Sequence, residues 1–504
     1  MNWNADTLYI QSGAALVNNG LWNATSDDQM AYNGGSAPSF TNNSSMRKSG
    51  GVGSTVINGT VGFVNNGTLQ AQTGSIAFTG GSVFNAGSVF SGAGTVAMVS
   101  GTNTFNGSFT SANLVLSGGT HLGNAAAVGG TLVFAGGVMA GTWGVAAGQT
   151  LSGQSGGFKF IDGMTTVVTN NGTLAWNTTD LLYLRGGATL RNQALFVANQ
   201  NTSVACNGGS TTVFENTASG TVRAAAGMTL NLNNGAGFVN NGGTLDAAVG
   251  AAIRYNGGAV FNAGTKFTGA GSNVAAGNNS FNGSFNSANL VLASGTHAGN
   301  AAVVTGTARF TGGSLAGTWQ VGSGQTLALG DGGFKYIEGA GTVVTNKGLV
   351  AVNTNDFIYL LSGAALANQG TLTFAGSGGV LYNGGAAPSF VNTGLIAKSS
   401  AGTTTLGDTL AFNNLGTVDV QAGTLALPTN FTNNGTLKGV GSVTVSGTLT
   451  NAGTVAPGAS PGTLSLNGNY AQAAGGRFAV ELQSLATHDL FNITGTAALG
   501  ARWR

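Results

Sequence analysis

The chain has 504 residues, of which 6 % are charged and 42 % hydrophobic, with 89 Gly, 5 Pro and 1 Cys. Its net charge of +2, without a basic stripe, gives no basis for nucleic-acid binding, and no run of about 18 apolar residues is present to form a transmembrane helix. Persistent Val, Leu, Ile and Phe positions exclude a disordered chain, and the lone Cys206 excludes an intramolecular disulfide.

Met1-Asn2-Trp3 leads straight into a repeat, because Trp3-Asn4 matches Trp176-Asn177, and no charged-then-apolar leader is visible. The expectation is a fragment without a signal peptide, whose N-terminus lies upstream. Tyr32-Asn33-Gly34-Gly35 returns as Cys206-Asn207-Gly208-Gly209 and again as Tyr382-Asn383-Gly384-Gly385. Phe63-Val64-Asn65-Asn66-Gly67 returns as Phe238-Val239-Asn240-Asn241-Gly242. Phe105-Asn106-Gly107-Ser108-Phe109 returns at 281–285, and Phe158-Lys159-Phe160-Ile161-Asp162-Gly163 returns at 334–339, both displaced by the same interval. These copies divide the chain into a first long repeat at 1–173, a second at 174–349 and a partial third at 350–455, with a closing segment at 456–504. Such repetition marks a stacked architecture in which each unit buries its apolar face against its neighbours.

A shorter period runs inside the long one. Phe63, Phe84 and Phe105 are evenly spaced, and nearly the same spacing separates Phe238, Phe261 and Phe281, and again Phe390, Phe412 and Phe431. Most of these Phe residues precede Asn-Gly steps, whose tolerance of positive φ suits tight corners. Segments such as Asn113-Leu114-Val115-Leu116 alternate with period two, as strands do, and no stretch combines helical periodicity with caps. The expected fold is all-β, a parallel β-helix (β-solenoid) with about 20–23 residues per coil. With strands about 4.8 Å apart, roughly 22 coils would rise about 100 Å. The Phe residues would stack internally, and corner Asn side chains would bond from coil to coil. A string of small β-sandwiches is the competing architecture.

The charged residues suggest few sites. Lys159 precedes Asp180 by the interval at which Lys335 precedes Asp356, and that interval is one coil, so adjacent coils would pair them at the surface. Asp162 and Glu338 follow closely after their lysines on the same segments. These six residues are the candidate surface contacts for a ligand, although a structural ion pair is the plainer use. Asp6 and Asp28, also one coil apart, could stack as a carboxylate pair of the glycosidase kind, or stand as solvated loop acids. His121 and His297 occupy equivalent Gly-Thr-His steps, with His488 in the tail; no acid or Cys clusters with them, so corner residues are expected and no metal or cofactor site is proposed. Trp143 and Trp319, like Tyr183 and Tyr359, recur at matching positions, where inward packing is expected and outward placement would suit stacking on sugars. Cys206 replaces Tyr32 and Tyr382 and is expected to be a filler.

One segment carries a resemblance. Asn451-Ala452-Gly453-Thr454-Val455-Ala456-Pro457-Gly458-Ala459-Ser460-Pro461-Gly462-Thr463-Leu464 is followed by Gly468-Asn469-Tyr470 and by Asp489-Leu490-Phe491-Asn492-Ile493-Thr494-Gly495. Over this stretch the chain resembles the closing segment of autotransporter-type passenger domains and related filamentous-haemagglutinin-like bacterial surface exoproteins. The resemblance implies a right-handed β-helix, export to the bacterial cell surface or outer membrane, and frequent use as an adhesin. No outer-membrane barrel follows the segment and no secretion domain precedes the repeats, so anchoring through a missing translocator is the expectation. The expected function is a non-catalytic adhesin or display stalk that binds a host or neighbouring-cell receptor or glycan weakly and multivalently. The alternatives are a polysaccharide-active β-helix enzyme and an inert spacer. Open coil ends are unpaired sheet edges, so end-to-end self-association is also expected.

Overall fold

Alternation of period two on a short strand buries every second side chain, and parallel stacking of such strands builds a continuous core. The computed structural model, which describes residues 1–500 apart from 5, 209, 233, 234 and 460 and leaves the side chain of 236 aside, realises this pattern throughout. The chain is an all-β parallel β-solenoid of about 21 turns, with no helix among the described residues. One turn consists of Gly62–Asn65, Thr68–Ala71 and Ser75–Phe78. These strands pair in parallel with Ser39–Asn42, Ser45–Lys48 and Ser54–Ile57 of the turn before. Strands of three stacked sheets therefore follow one another in such turns, without the hairpins a sandwich would need. Elsewhere one unbroken strand, such as Thr102–Leu116, pairs with all three strands of the turn before. Gly209 of the second Asn-Gly-Gly step and Ser460 of the closing motif lie outside the described residues, as do 501–504.

Two compact units are present: Met1–Ala259 with Thr268–Asn273, and Val260–Phe267 with Val274–Arg504. The division falls inside residues 174–349, so the second long repeat contributes to both. Coil length varies more than the Phe spacing suggests. Ala126 pairs with Trp143 across a short coil, whereas Gln29 pairs with Val56 across a long one. The strands hold register while the corners absorb the difference. At the sharp corners Gly130 and Gly306 adopt φ of 86° and 82°. An added Cβ would overlap the carbonyl oxygens of Ser111 and Ser287 on the coil before, which is why both copies keep glycine there.

In the first unit an aromatic column runs Trp3, Trp22, Phe40, Phe63, Phe84, Phe105, Trp143, with successive ring centroids 4.9–6.2 Å apart. The stacking expected of the Phe residues is present, with one change of register: Phe84 lies opposite Asn65 and reaches Phe63 diagonally. Phe390, Phe412 and Phe431 form the corresponding column in the second unit, at 4.9 and 5.3 Å.

Buried asparagines form the second repeated device. In the second unit Asn346, Asn368, Asn392, Asn414, Asn433 and Asn451 each donate Nδ2 to the amide oxygen one coil later, ending at Gln472, over 2.7–3.2 Å. In the first unit Asn18 and Asn42 do the same, ending at Asn65, and separately Asn170, Asn192 and Asn216 do so, ending at Asn240. An outer row runs beside the first of these with the opposite polarity: Asn43 donates to Asn19, Asn66 to Asn43, Asn85 to Asn66 and Asn106 to Asn85. Neighbouring rows of amide dipoles thus point in opposite directions. Replacing Asn392 with Ala removes the acceptor of Asn368 and the donor to Asn414 within a fully buried row. Two orphaned buried groups should cost on the order of 2–4 kcal/mol, read as a lower denaturation midpoint of the variant chain.

Candidate functional site

Lys159 and Lys335 are not surface residues. Each begins a strand, Lys159–Asp162 or Lys335–Glu338, at an inward position, and each is fully buried. The alkyl stem lies in the core while the ammonium reaches the corner. There Lys159 Nζ donates to the Gly157 carbonyl at 3.0 Å and to Asp180 Oδ2 at 2.8 Å. Lys335 Nζ donates to the Gly333 carbonyl at 3.1 Å and to Asp356 Oδ2 at 2.8 Å. The pairing across one coil is thus formed, but the cation belongs to the interior, because alternation assigns that strand position to the core. Bonding to the buried ammonium holds the Asp180 and Asp356 carboxyls below the usual carboxylate range, against some desolvation. Asp162 and Glu338 face outward: Asp162 pairs with Arg185 Nε at 2.8 Å, and Glu338 accepts from Ser314 Oγ at 3.1 Å.

Two more buried lysines escaped sequence reasoning. Lys48 is paired with Asp27 at 2.6 Å, with the acid on the earlier coil. Its counterpart in the third long repeat is Lys398, also fully buried; the position of Asp27 is there Ser377, and no carboxylate is paired with Lys398 among the described residues. Lys398 Nζ instead meets the carbonyl and hydroxyl of Ser400 and the Ala422 carbonyl, and burial pushes its pKa down. A search for the Lys159–Asp180 offset in both chain directions would have found the Lys48 pair.

His121 and His297 are core residues rather than corner residues. Each is fully buried, stacked between Asn103 and Met139 or between Asn279 and Leu315. Neither ring completes a hydrogen bond, although the Gly136 main chain lies near His121, and desolvation pushes both pKa values down to about 4. Asp6 and Asp28 line one open cleft with Asp27. Asp28 is buried and accepts Ser26 Oγ at 2.7 and 2.8 Å, while Asp27 is committed to Lys48. Among the described residues no group of three or more His, Cys, Asp or Glu converges as metal ligands would.

The outward aromatic residues form the best-defined surface site. Trp143 and Trp319 are buried as expected, donating Nε1 to the Ala140 and Ala316 carbonyls. Tyr183 and Tyr359 instead lie on outward strand positions, because Leu182 and Leu184, or Ile358 and Leu360, take the inward ones. In the first unit Tyr183 stacks on Phe160 of the coil before, with centroids 5.4 Å apart and planes 24° apart; Phe158, 73 % exposed, closes the cluster. Arg185 lies 4.1 Å over the Phe160 ring and is tied to Asp162. In the second unit Tyr359 packs on Tyr336 at 5.6 Å, flanked by Phe334, 67 % exposed, and by Phe357. Leu361 takes the place of Arg185 there, and no cation covers that copy among the described residues.

Compared with protein-family models, with curated proteins and with solved structures, the chain matches none. The closing segment is therefore understood from its own contacts. Thr463–Gln472 pairs in parallel with Ser442–Asn451 before it and with Leu490–Ile493 after it, continuing the solenoid. Asp489, almost fully buried, accepts from Gly462 N and from Glu481 N, both at 2.9 Å. The two halves of the motif, the Pro-Gly loop and the Asp-Leu strand, are thus clasped to each other by one carboxylate.

Proposed function

We propose that this chain is the repetitive shaft of an exported bacterial surface protein that works, without catalysis, as an adhesin or display stalk. The observation carrying this reading is the recurrence, once in each compact unit, of an exposed aromatic cluster at the same repeat position. Equivalent weak sites on one chain gain avidity through effective concentration. Bacterial surface display and outer-membrane anchoring rest on the likeness of residues 451–495 to autotransporter-type closing segments. A host or neighbouring-cell glycan or receptor is the partner.

The runner-up is a polysaccharide-active enzyme, favoured by the cleft that Asp6 and Asp28 share. Binding of the purified chain to a glycan and extracellular-matrix array, with polysaccharide turnover followed in parallel, separates the readings. Saturable binding without turnover is the expected result. Turnover abolished in Asp28→Asn would install the enzyme reading, and silence in both assays would leave a spacer.

A further inference from the structure

We infer that Phe334, Tyr336 and Tyr359 form a binding platform for neutral hexopyranose glycans. The inference rests on the adhesin reading and gives it a ligand class. Tyr336 and Tyr359 are outward residues of paired strands, held in register one coil apart. Their side chains form a stepped pair with centroids 5.6 Å apart, a step close to the length of one pyranose residue along an extended chain. The ring planes differ by 34°, and the aromatic surface that the pair leaves to solvent is of the kind that packs against C–H groups of a sugar. Phe334 closes one side at 5.9–6.1 Å from both rings and keeps most of its surface in solvent.

The polar groups around the face point to the same occupant. Tyr32 and Tyr382 are structural tyrosines, whose hydroxyls donate to the Gly35 and Gly385 carbonyls. Among the described residues neither Tyr336 nor Tyr359 hydrogen-bonds its hydroxyl to the chain, so both can meet sugar hydroxyls at the rim of the stacked face. The charge of the face disfavours acidic glycans. Glu338 is the outward neighbour of Tyr336 on the same strand, and the cation of that strand, Lys335, is buried and committed to Asp356. The first-unit copy has the same ring pair, but Arg185 already occupies the Phe160 face, which makes the second-unit copy the open one.

The full chain is assayed by biolayer interferometry on immobilised mixed-linkage β-glucan, galactomannan and polygalacturonate. Saturable binding to at least one of the two neutral polymers is expected, with none to polygalacturonate. The double substitution Phe334→Ala with Tyr359→Ala should weaken it about tenfold or more, as loss of anchoring rings does, with an unchanged far-UV circular dichroism spectrum. Tyr336→Phe with Tyr359→Phe keeps the rings and should cost only about two- to fivefold, from lost hydrogen bonds. Neutral-polymer binding that survives the alanine pair, equal binding to polygalacturonate, or no binding to either neutral polymer overturns the platform. A chain that still adheres to matrix arrays after such a result keeps the adhesin reading without this site, whereas silence on both removes both.

Discussion

Lowering the pH from 7 to 4.5 is expected to open the coils around His121 and His297 before the rest of the solenoid loosens. Both imidazoles are buried without hydrogen-bond partners, and desolvation lowers their pKa values to about 4 from an ordinary value near 6.5. A folded-state pKa below the unfolded one means that the opened coil binds the proton more readily. The stabilisation is therefore fully present above pH 6.5 and is lost as the pH falls towards 4. A difference of this size is worth about 3 kcal/mol per histidine. In a solenoid that loss acts locally, on the coils that contain the residue, because each coil touches only its neighbours. Hydrogen exchange, corrected for intrinsic rates, should show protection falling first at 102–145 and 279–321. The next coil supplies the control: Met139 and Leu315 occupy the same inward columns. His121→Met with His297→Leu should keep those coils protected down to pH 4.5. Equal acid sensitivity in the double variant would refute the assignment. The Asp180 and Asp356 carboxyls, held below 3.8 by their lysines, give up their stabilisation only at lower pH, so the two processes are separable.

Much of this fold was legible because a solenoid writes its geometry into the chain as period. The Phe spacings and the Asn-Gly corners gave the coil, and the aromatic column and asparagine rows followed from stacking equivalent positions. Coil length was less legible. Corners of variable length shift the count without disturbing register, so Phe84, one nominal coil after Phe63, lies opposite Asn65 instead. Sidedness was the weaker inference at single residues. A lysine at an inward position breaks the equation of charge with surface, and a tyrosine flanked by two inward leucines must face out. Reading strict alternation through Lys159, Tyr183 and Tyr359 would have placed all three. The missing acid of Lys398 becomes legible only once the Lys48 pair is found, because the acid of that pair lies on the coil before its lysine, in the opposite chain direction from Asp180 and Asp356.

Removing the acid from a lysine pair should be far more damaging than removing the lysine. Asp180→Asn or Asp356→Asn leaves a fully buried ammonium without its counter-charge, held only by neutral oxygens such as the Gly157 or Gly333 carbonyl. The expected loss is about 1–3 kcal/mol, the scale for stranding a charged hydrogen-bonding group. It falls short of the roughly 3–5 kcal/mol typical of a wholly buried pair, because the aspartates are 36 % and 41 % exposed and the ammonium sits at the corner, near solvent. Lys159→Met or Lys335→Met removes the desolvation cost together with the pair and fills the same inward column, so the change should stay within about 1 kcal/mol of neutral, in either direction. The double variant Lys159→Met, Asp180→Asn should then match Lys159→Met alone, and denaturant midpoints of the four chains give the coupling directly. A neutral Asp180→Asn, or a Lys159→Met that loses several kcal/mol, would contradict this account. Lys398 shows the alternative solution, in which oxygens from Ser400 and Ala422 surround the ammonium where no carboxylate is supplied. The pairs that do use an acid span the same sequence interval in every case, from one coil to the next. A slip of one position would turn the lysine outward and leave the carboxylate without its partner. The buried pair therefore contributes little net stability but penalises the wrong register, which matters in a chain whose coils otherwise resemble one another.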